Sequence, residues 1–269
     1  MKPPRIPRLL QNRQLPLEGG TPPRLPQGAR AASPQLPPRI QPPEGLPSVP
    51  GLEIATATYP GAHPGAEAEP VRGDFVDAFG LDGGIGFSWG TLSGCGAEVG
   101  PLVAASKALV RATLLSHPAV GATAHRLSRA LYPMLSEGRS LALTFGLYDP
   151  EDRRFVVCNC GNWPAVVLAH GQALLVGSPG PPLGDFDSWR YPPSAITLAP
   201  GTILVGSTVG LPVAAGEADR TWAGLTDLPE RHRSLPAFAQ AVLGPLADGR
   251  PRQEPREGTV LVLRGVSSQ

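Results

Sequence analysis

The apolar pattern of this chain changes period at Gly138, and that change narrows the folds open to it. Upstream, Leu102, Ala105, Leu109 and Ala112 fall on one face of a helix expected over residues 97–116, with Pro101 near its first turn. A second helix is expected over residues 122–135, where Leu127, Leu131 and Leu135 recur every four residues and Pro133 distorts the last turn. Downstream the period shortens to two. Strands are expected at 140–148, 154–159, 165–169 and 173–176, separated by the turn signals Asp149-Pro150 and His170-Gly171. A Gly- and Pro-rich loop over 177–193 leads to a strand at 202–205, then to a polar, irregular stretch at 215–233 and a short helix at 235–246. Thr259-Val260-Leu261-Val262-Leu263 has the unbroken apolar character of a buried central strand. Two more strands, 52–59 and 84–90, precede the helices. Strands, two helices, many strands, one helix and one strand describe an α+β fold in which helices cover antiparallel sheets.

The first fifty residues behave differently: they hold 14 of the 34 prolines, seven Lys or Arg, and two Asp or Glu. Proline removes backbone donors and fixes φ, so residues 1–46 are expected to form an extended, disordered arm, and residues 47–269 one domain. The basic spacing of Pro22-Pro23-Arg24-Leu25-Pro26 and Pro37-Pro38-Arg39 suits an aromatic groove, an anionic surface or a plain solubilising tether. Beyond the arm, 16 basic and 20 acidic side chains remain, so the body is mildly acidic and nothing in it favours nucleic acid. No run reaches the roughly 18 apolar residues that span a bilayer, and no apolar run follows the basic opening as in a secretory signal. A cytoplasmic location without membrane insertion is the expectation. Cys95, Cys158 and Cys160 include no CxxC pair, which argues against a disulfide framework or a zinc knuckle and for buried thiols.

Six short motifs follow one another through the body. Gly73-Asp74-Phe75-Val76-Asp77 precedes Gly90-Thr91-Leu92-Ser93-Gly94-Cys95-Gly96; Asn159-Cys160-Gly161-Asn162-Trp163-Pro164 and Pro181-Pro182-Leu183-Gly184 come next. Ser207-Thr208-Val209-Gly210-Leu211 and Arg256-Glu257-Gly258-Thr259 close the series. In this order they resemble the metal-dependent (PPM-type) serine/threonine phosphatase domain, in its bacterial SpoIIE/RsbU branch. The resemblance runs over residues 46–265 and implies that family's sandwich of two antiparallel sheets flanked by helices.

The same resemblance shows what has been replaced. The family holds two Mn²⁺ or Mg²⁺ ions with aspartates, and water between them attacks the phosphorus of a phosphoserine or phosphothreonine. By the resemblance, Asp74 is the bridging ligand and the Phe75 carbonyl a further oxygen donor. Thr91, Val209 and Arg256 stand where the family has aspartates: a neutral hydroxyl, an alkyl group and a cation replace three anions. Hard divalent cations need oxygen ligands, and two of them in one pocket need several carboxylates. Glu257 is the first candidate replacement metal ligand, with Asp77, Asp82 and Asp187 behind it. Arg256 and Arg72 are candidates to grip a phosphate directly through a guanidinium fork. Asp77 is read as tying down a turn, and Asp74 has a second reading as a residue kept for turn geometry.

Two functional readings stay open at this point. One is a phosphatase-like domain with little or no catalysis and no metal requirement, acting as a regulatory module that binds a phosphorylated signalling protein of the anti-anti-sigma (STAS) type. The other is a working Mn²⁺- or Mg²⁺-dependent phosphatase with replacement ligands. A scaffold role for the basic arm is a third possibility. Other chemistries find no support: Gly80-Leu81-Asp82-Gly83-Gly84-Ile85-Gly86 reads as a hairpin turn, since no phosphate-loop Lys-Ser/Thr follows it. The five histidines never occur as His-x-x-x-His.

Overall fold

The computed structural model describes residues 47–59, 73–94, 99–135, 139–209, 225–247 and 258–267, all within the compact unit Leu36–Gln269. The proposed arm lies outside the described residues. Ten strands are described: β1 (Leu52–Tyr59), β2 (Asp74–Leu81), β3 (Gly84–Leu92), β4 (Leu141–Asp149), β5 (Arg154–Cys160), β6 (Ala165–Ala169), β7 (Gln172–Val176), β8 (Ser194–Thr197), β9 (Ile203–Ser207) and β10 (Gly258–Gly265). The described helices are α1 (Val99–Ser116), α2 (Val120–Leu131), the single turn α3 (Leu228–Arg231) and α4 (Leu235–Ala247).

The strands form two five-stranded antiparallel sheets, ordered β1-β10-β9-β6-β7 and β2-β3-β4-β5-β8. Period-two alternation sends each strand's side chains to two different cores. On β5, Phe155 and Val157 enter the core between the sheets, while Cys158 and Cys160 face the α1–α2 layer. On β10, Leu261 and Leu263 enter the inter-sheet core, while Val260 and Val262 meet Phe238, Val242 and Leu243 of α4. The result is four layers, helices–sheet–sheet–helix, with a hydrophobic core in each of the three gaps. β10 is buried along almost its whole length, as its unbroken apolar run requires.

The structure departs from the sequence reading at β2, at β8, on the docked face of α1, and at α3, which falls in the stretch expected to be irregular. Residues 74–81, for which no strand was expected, form an eight-residue strand, because the expected hairpin turn, at Asp82-Gly83, pairs them with β3 throughout. β8 was not anticipated; four residues following two prolines give too short a pattern to register. In α1 the buried positions are Val99, Ser106, Val110 and Leu114, whereas Leu102 and Leu109 are only partly covered. That rotation turns Lys107 and Arg111 toward Asp77 on β2, so a polar tether helps select the face that docks. By length and composition α1 alone among the described helices is long and apolar enough to cross a membrane; here it lies against the β2–β8 sheet.

Candidate functional site

The described parts of all six motifs meet at one end of the sandwich. Asp74 opens β2 and Thr91 lies opposite it near the end of β3. Beside them, Leu141 at the start of β4 exchanges two backbone hydrogen bonds of 2.9 Å with Leu183, and Leu143 bridges Gly161. Gly73 lets β2 and β3 close at this end: a Cβ there would sit 2.0 Å from the Leu92 carbonyl oxygen. Gly161 is held at φ +79° against Pro182, a place and conformation that exclude an ordinary side chain. Asn162 donates from Nδ2 to the Trp89 carbonyl at 3.2 Å, which leaves Trp163 projecting into solvent at 55% exposure.

At the centre is the half-buried carboxylate of Asp74. Thr91 Oγ1 donates to Asp74 Oδ1 at 2.6 Å, and Thr208 Oγ1 donates to Asp74 Oδ2 at 2.7 Å. Thr208 in turn accepts the Thr259 backbone N–H at 3.0 Å, and the hydroxyls of Thr259 and Thr58 lie 3.1 Å apart. The chain of contacts therefore runs from β2 and β3 in one sheet to β9, β10 and β1 in the other. A carboxylate with a hydroxyl on each oxygen stitches the two sheets together. Val209 turns inward beside Gly258, whose position leaves no space for a Cβ next to the valine methyls, and its N–H donates to Ser207 Oγ at 3.2 Å.

Asp77 occupies the other face of the same strand. It is 3% exposed and accepts Arg111 Nε at 2.6 Å and Nη2 at 2.5 Å, with Lys107 Nζ at 3.7 Å. The turn-tying role expected of it is replaced by a strand-to-helix anchor. The Asp77 hydrogen bond holds the Arg111 pKa above its ordinary value against the opposing cost of desolvation, and the guanidinium also stacks 5.3 Å from the Phe79 ring centre. Facing away from Asp74, Asp77 cannot share a ligand with it. Asp82 sits in the hairpin at the far end of β2, about 25 Å away at the usual strand rise. Asp187 is exposed on the loop beyond Leu183.

Phe75 pairs with Gly90 across the β2–β3 ladder. Leu92 N–H donates to the Gly73 carbonyl at 3.0 Å, and antiparallel alternation directs the Phe75 carbonyl to the same side, toward β3. Arg72, Arg256, Glu257 and Cys95 lie outside the described residues. Among the described residues no three His, Cys, Asp or Glu side chains come together as a metal-holding group. Among the described residues, one carboxylate with two neutral hydroxyls falls short of the carboxylates that a pair of hard divalent cations needs. Thr208, the second hydroxyl on Asp74, was not singled out from the sequence; its place beside the substituted Val209 was the available signal.

The family model for Stage II sporulation protein E matches residues 82–263, more than half of the chain. The chain belongs to the SpoIIE family. No curated protein matches this SpoIIE-family sequence significantly. Its fold is that of solved PPM phosphatases. The RsbU and RsbW domains of Rv1364c from Mycobacterium tuberculosis superpose at TM-score 0.63 and 20% identity, covering 83% of this chain and 62% of that one. The PP2C phosphatase domain and regulatory fragment of SpoIIE from Bacillus subtilis match at TM-score 0.61 and 15% identity, covering 80% and 64%. The SiaA PP2C domain of Pseudomonas aeruginosa gives TM-score 0.59 and 19% identity, covering 73% and 82%. This SpoIIE-family chain thus spans less than two thirds of the first two relatives' chains.

Proposed function

We propose that this chain is a SpoIIE-type phosphatase domain with little or no catalysis, serving as a regulatory module that binds a phosphorylated signalling protein of the anti-anti-sigma type. The observation that carries this reading is the pair of threonine hydroxyls on the Asp74 carboxylate, from Thr91 and from Thr208 next to Val209. The family motifs have an aspartate at the positions of Thr91 and Val209, whereas Thr208 stands where the motif also has threonine. Here two of the groups that engage the carboxylate are neutral hydroxyls that join the two sheets. Phosphate monoester hydrolysis is among the slowest uncatalysed reactions, so without a metal pair to clamp the transferring group little rate remains. Support for a signalling partner comes from the mycobacterial relative, in which an RsbU domain occurs with an RsbW domain. Arg72 and Arg256 would grip the partner's phosphate as bidentate guanidinium forks.

The test is p-nitrophenyl phosphate hydrolysis by the full chain in a Mn²⁺ titration, comparing wild type, Asp74→Asn and the double variant Thr91→Asp/Val209→Asp. Wild type and Asp74→Asn should both stay at background, while the double variant should gain calorimetrically measurable Mn²⁺ binding. Wild-type turnover that requires Mn²⁺ and disappears in Asp74→Asn would overturn the proposal in favour of a replacement-ligand enzyme, with Glu257 the next position to change.

A further inference from the structure

On the face of the β2–β8 sheet that meets the other sheet, three neighbouring strands set one residue each in a single row. Trp89 of β3 lies opposite Thr144 of β4, and Thr144 lies opposite Asn159 of β5. All three are at most 1% exposed, and the core around them is otherwise apolar, with Phe87, Val157, Ala165 and Leu204. Yet Trp89 Nε1, Thr144 Oγ1 and both amide atoms of Asn159 find no hydrogen-bond partner among the described residues. The opposing chain approaches the row with glycines. A Cβ on Gly206 of β9 would lie 2.9 Å from Trp89 Nε1, and one on Gly177, just past β7, would lie 3.1 Å from the Asn159 Cβ. A buried polar atom left unpaired costs its full desolvation, and four such atoms in one row point to a ligand that answers them together.

We propose that this row is a built hydration site, with one bound water between Trp89 and Thr144 and another between Thr144 and Asn159. Asn159 decides the chemistry of the ligand, because its Oδ1 needs a donor and its Nδ2 an acceptor. Water supplies both. An anion would leave Oδ1 unanswered, and a cation would face the Trp89, Thr144 and Asn159 donors. The spacing agrees: facing residues on adjacent strands lie roughly 4.5–5.5 Å apart, and two polar atoms bridged by one water at ordinary hydrogen-bond lengths lie roughly as far apart. Thr144, in the middle, can donate to one water and accept from the other, so each water has at least two polar partners, as buried water requires. Trp89 stands two residues before Thr91 on the same face of β3, so the hydrated row carries the polar seam of Asp74 inward between the sheets.

A high-resolution crystal structure of the full chain, joined to urea unfolding of one isosteric variant, tests this. Density for a water should appear in both gaps, within hydrogen-bond reach of Trp89 Nε1, Thr144 Oγ1 and the Asn159 amide. Thr144→Val keeps the shape of the side chain and removes the hydroxyl that both waters share. Its urea midpoint should fall, with the unfolding equilibrium constant rising about fivefold, the worth of one typical hydrogen bond. A hydroxyl buried without any partner predicts the opposite sign, since replacing a bare polar atom by a methyl group stabilises the fold. Thr144→Ser, which retains the hydroxyl, should retain both waters in its crystal structure. A midpoint that rises in Thr144→Val overturns the proposal. So do gaps without density, an ion in place of water, or a Thr144 hydroxyl bonded directly to the Asn159 amide.

Discussion

The two faces of the β2–β8 sheet treat a carboxylate in opposite ways. On the helix-covered face, Asp77 is buried and meets two cations from one helix, Arg111 bidentately and Lys107 at longer range. On the face toward the other sheet, three residues earlier in the same strand, Asp74 receives a hydroxyl on each oxygen. A buried carboxylate is costly unless a charge or several hydrogen bonds compensate it. The first solution fixes a helix onto a sheet. The second joins two sheets, with neutral hydroxyls on the carboxylate in place of cations. Two aspartates from one short motif thus fasten two different interfaces.

If that contrast is correct, removing the helix anchor should have the largest effect. Asp77→Ala strips Arg111 of a bidentate partner and leaves α1 held by its apolar face alone. With the guanidinium nearly half exposed and partly rescued by water, the expected loss is about 2–3 kcal/mol, read from the midpoint of urea unfolding. A loss below that caused by any change around Asp74 would reverse the ranking of the two fasteners.

The inter-sheet fastener can be graded more finely. Thr208→Val removes the donor to Asp74 and also leaves the Thr259 N–H without its hydroxyl acceptor, for a loss of about 2 kcal/mol. Thr91→Val removes a single donor at a half-buried position and should cost about 1 kcal/mol. For a domain of this size the two Tm values should fall by about 4–8 °C and 2–4 °C. A double-mutant cycle with Asp74→Ala should show both effects shrinking once the carboxylate is gone. Full additivity would mean that the threonines act independently of Asp74, and the stitched-carboxylate account would fail.

The order of elements could be read from the sequence because it rests on local periodicity, such as the Leu127-Leu131-Leu135 stripe and the apolar run of β10. What escaped depended on contacts distant in sequence. β2 gave no strand signal because Gly73 and two aspartates crowd its start, and only pairing with β3 makes it a strand. The docked face of α1 was misjudged by about one residue's rotation, because leucines mark one side while Arg111 and Lys107 reach for Asp77 from another. At the candidate site, motif order alone pointed to Asp74, Thr91 and Val209. The role of Thr208 required β9 to be brought against β2 across the sheets, which no local pattern encodes.

The smallest expected effect concerns the thiols on the helix-covered face. Cys158 and Cys160 are both fully buried among Leu143, Phe145 and Leu127, and burial pushes the Cys158 thiol up to about 12 and that of Cys160 well above its ordinary value. Only the thiolate reacts quickly, so at pH 8 neither should be modified by a thiol reagent while the protein is folded. Titration with Ellman's reagent in a Cys95→Ser background should give no fast reaction in buffer and two thiols in denaturant. Fast labelling of Cys158 in the native state would show that the α1–α2 layer opens readily despite the Asp77 anchor. In that case the contrast between a rigidly fastened helix face and a hydroxyl-stitched sheet face would have to be abandoned.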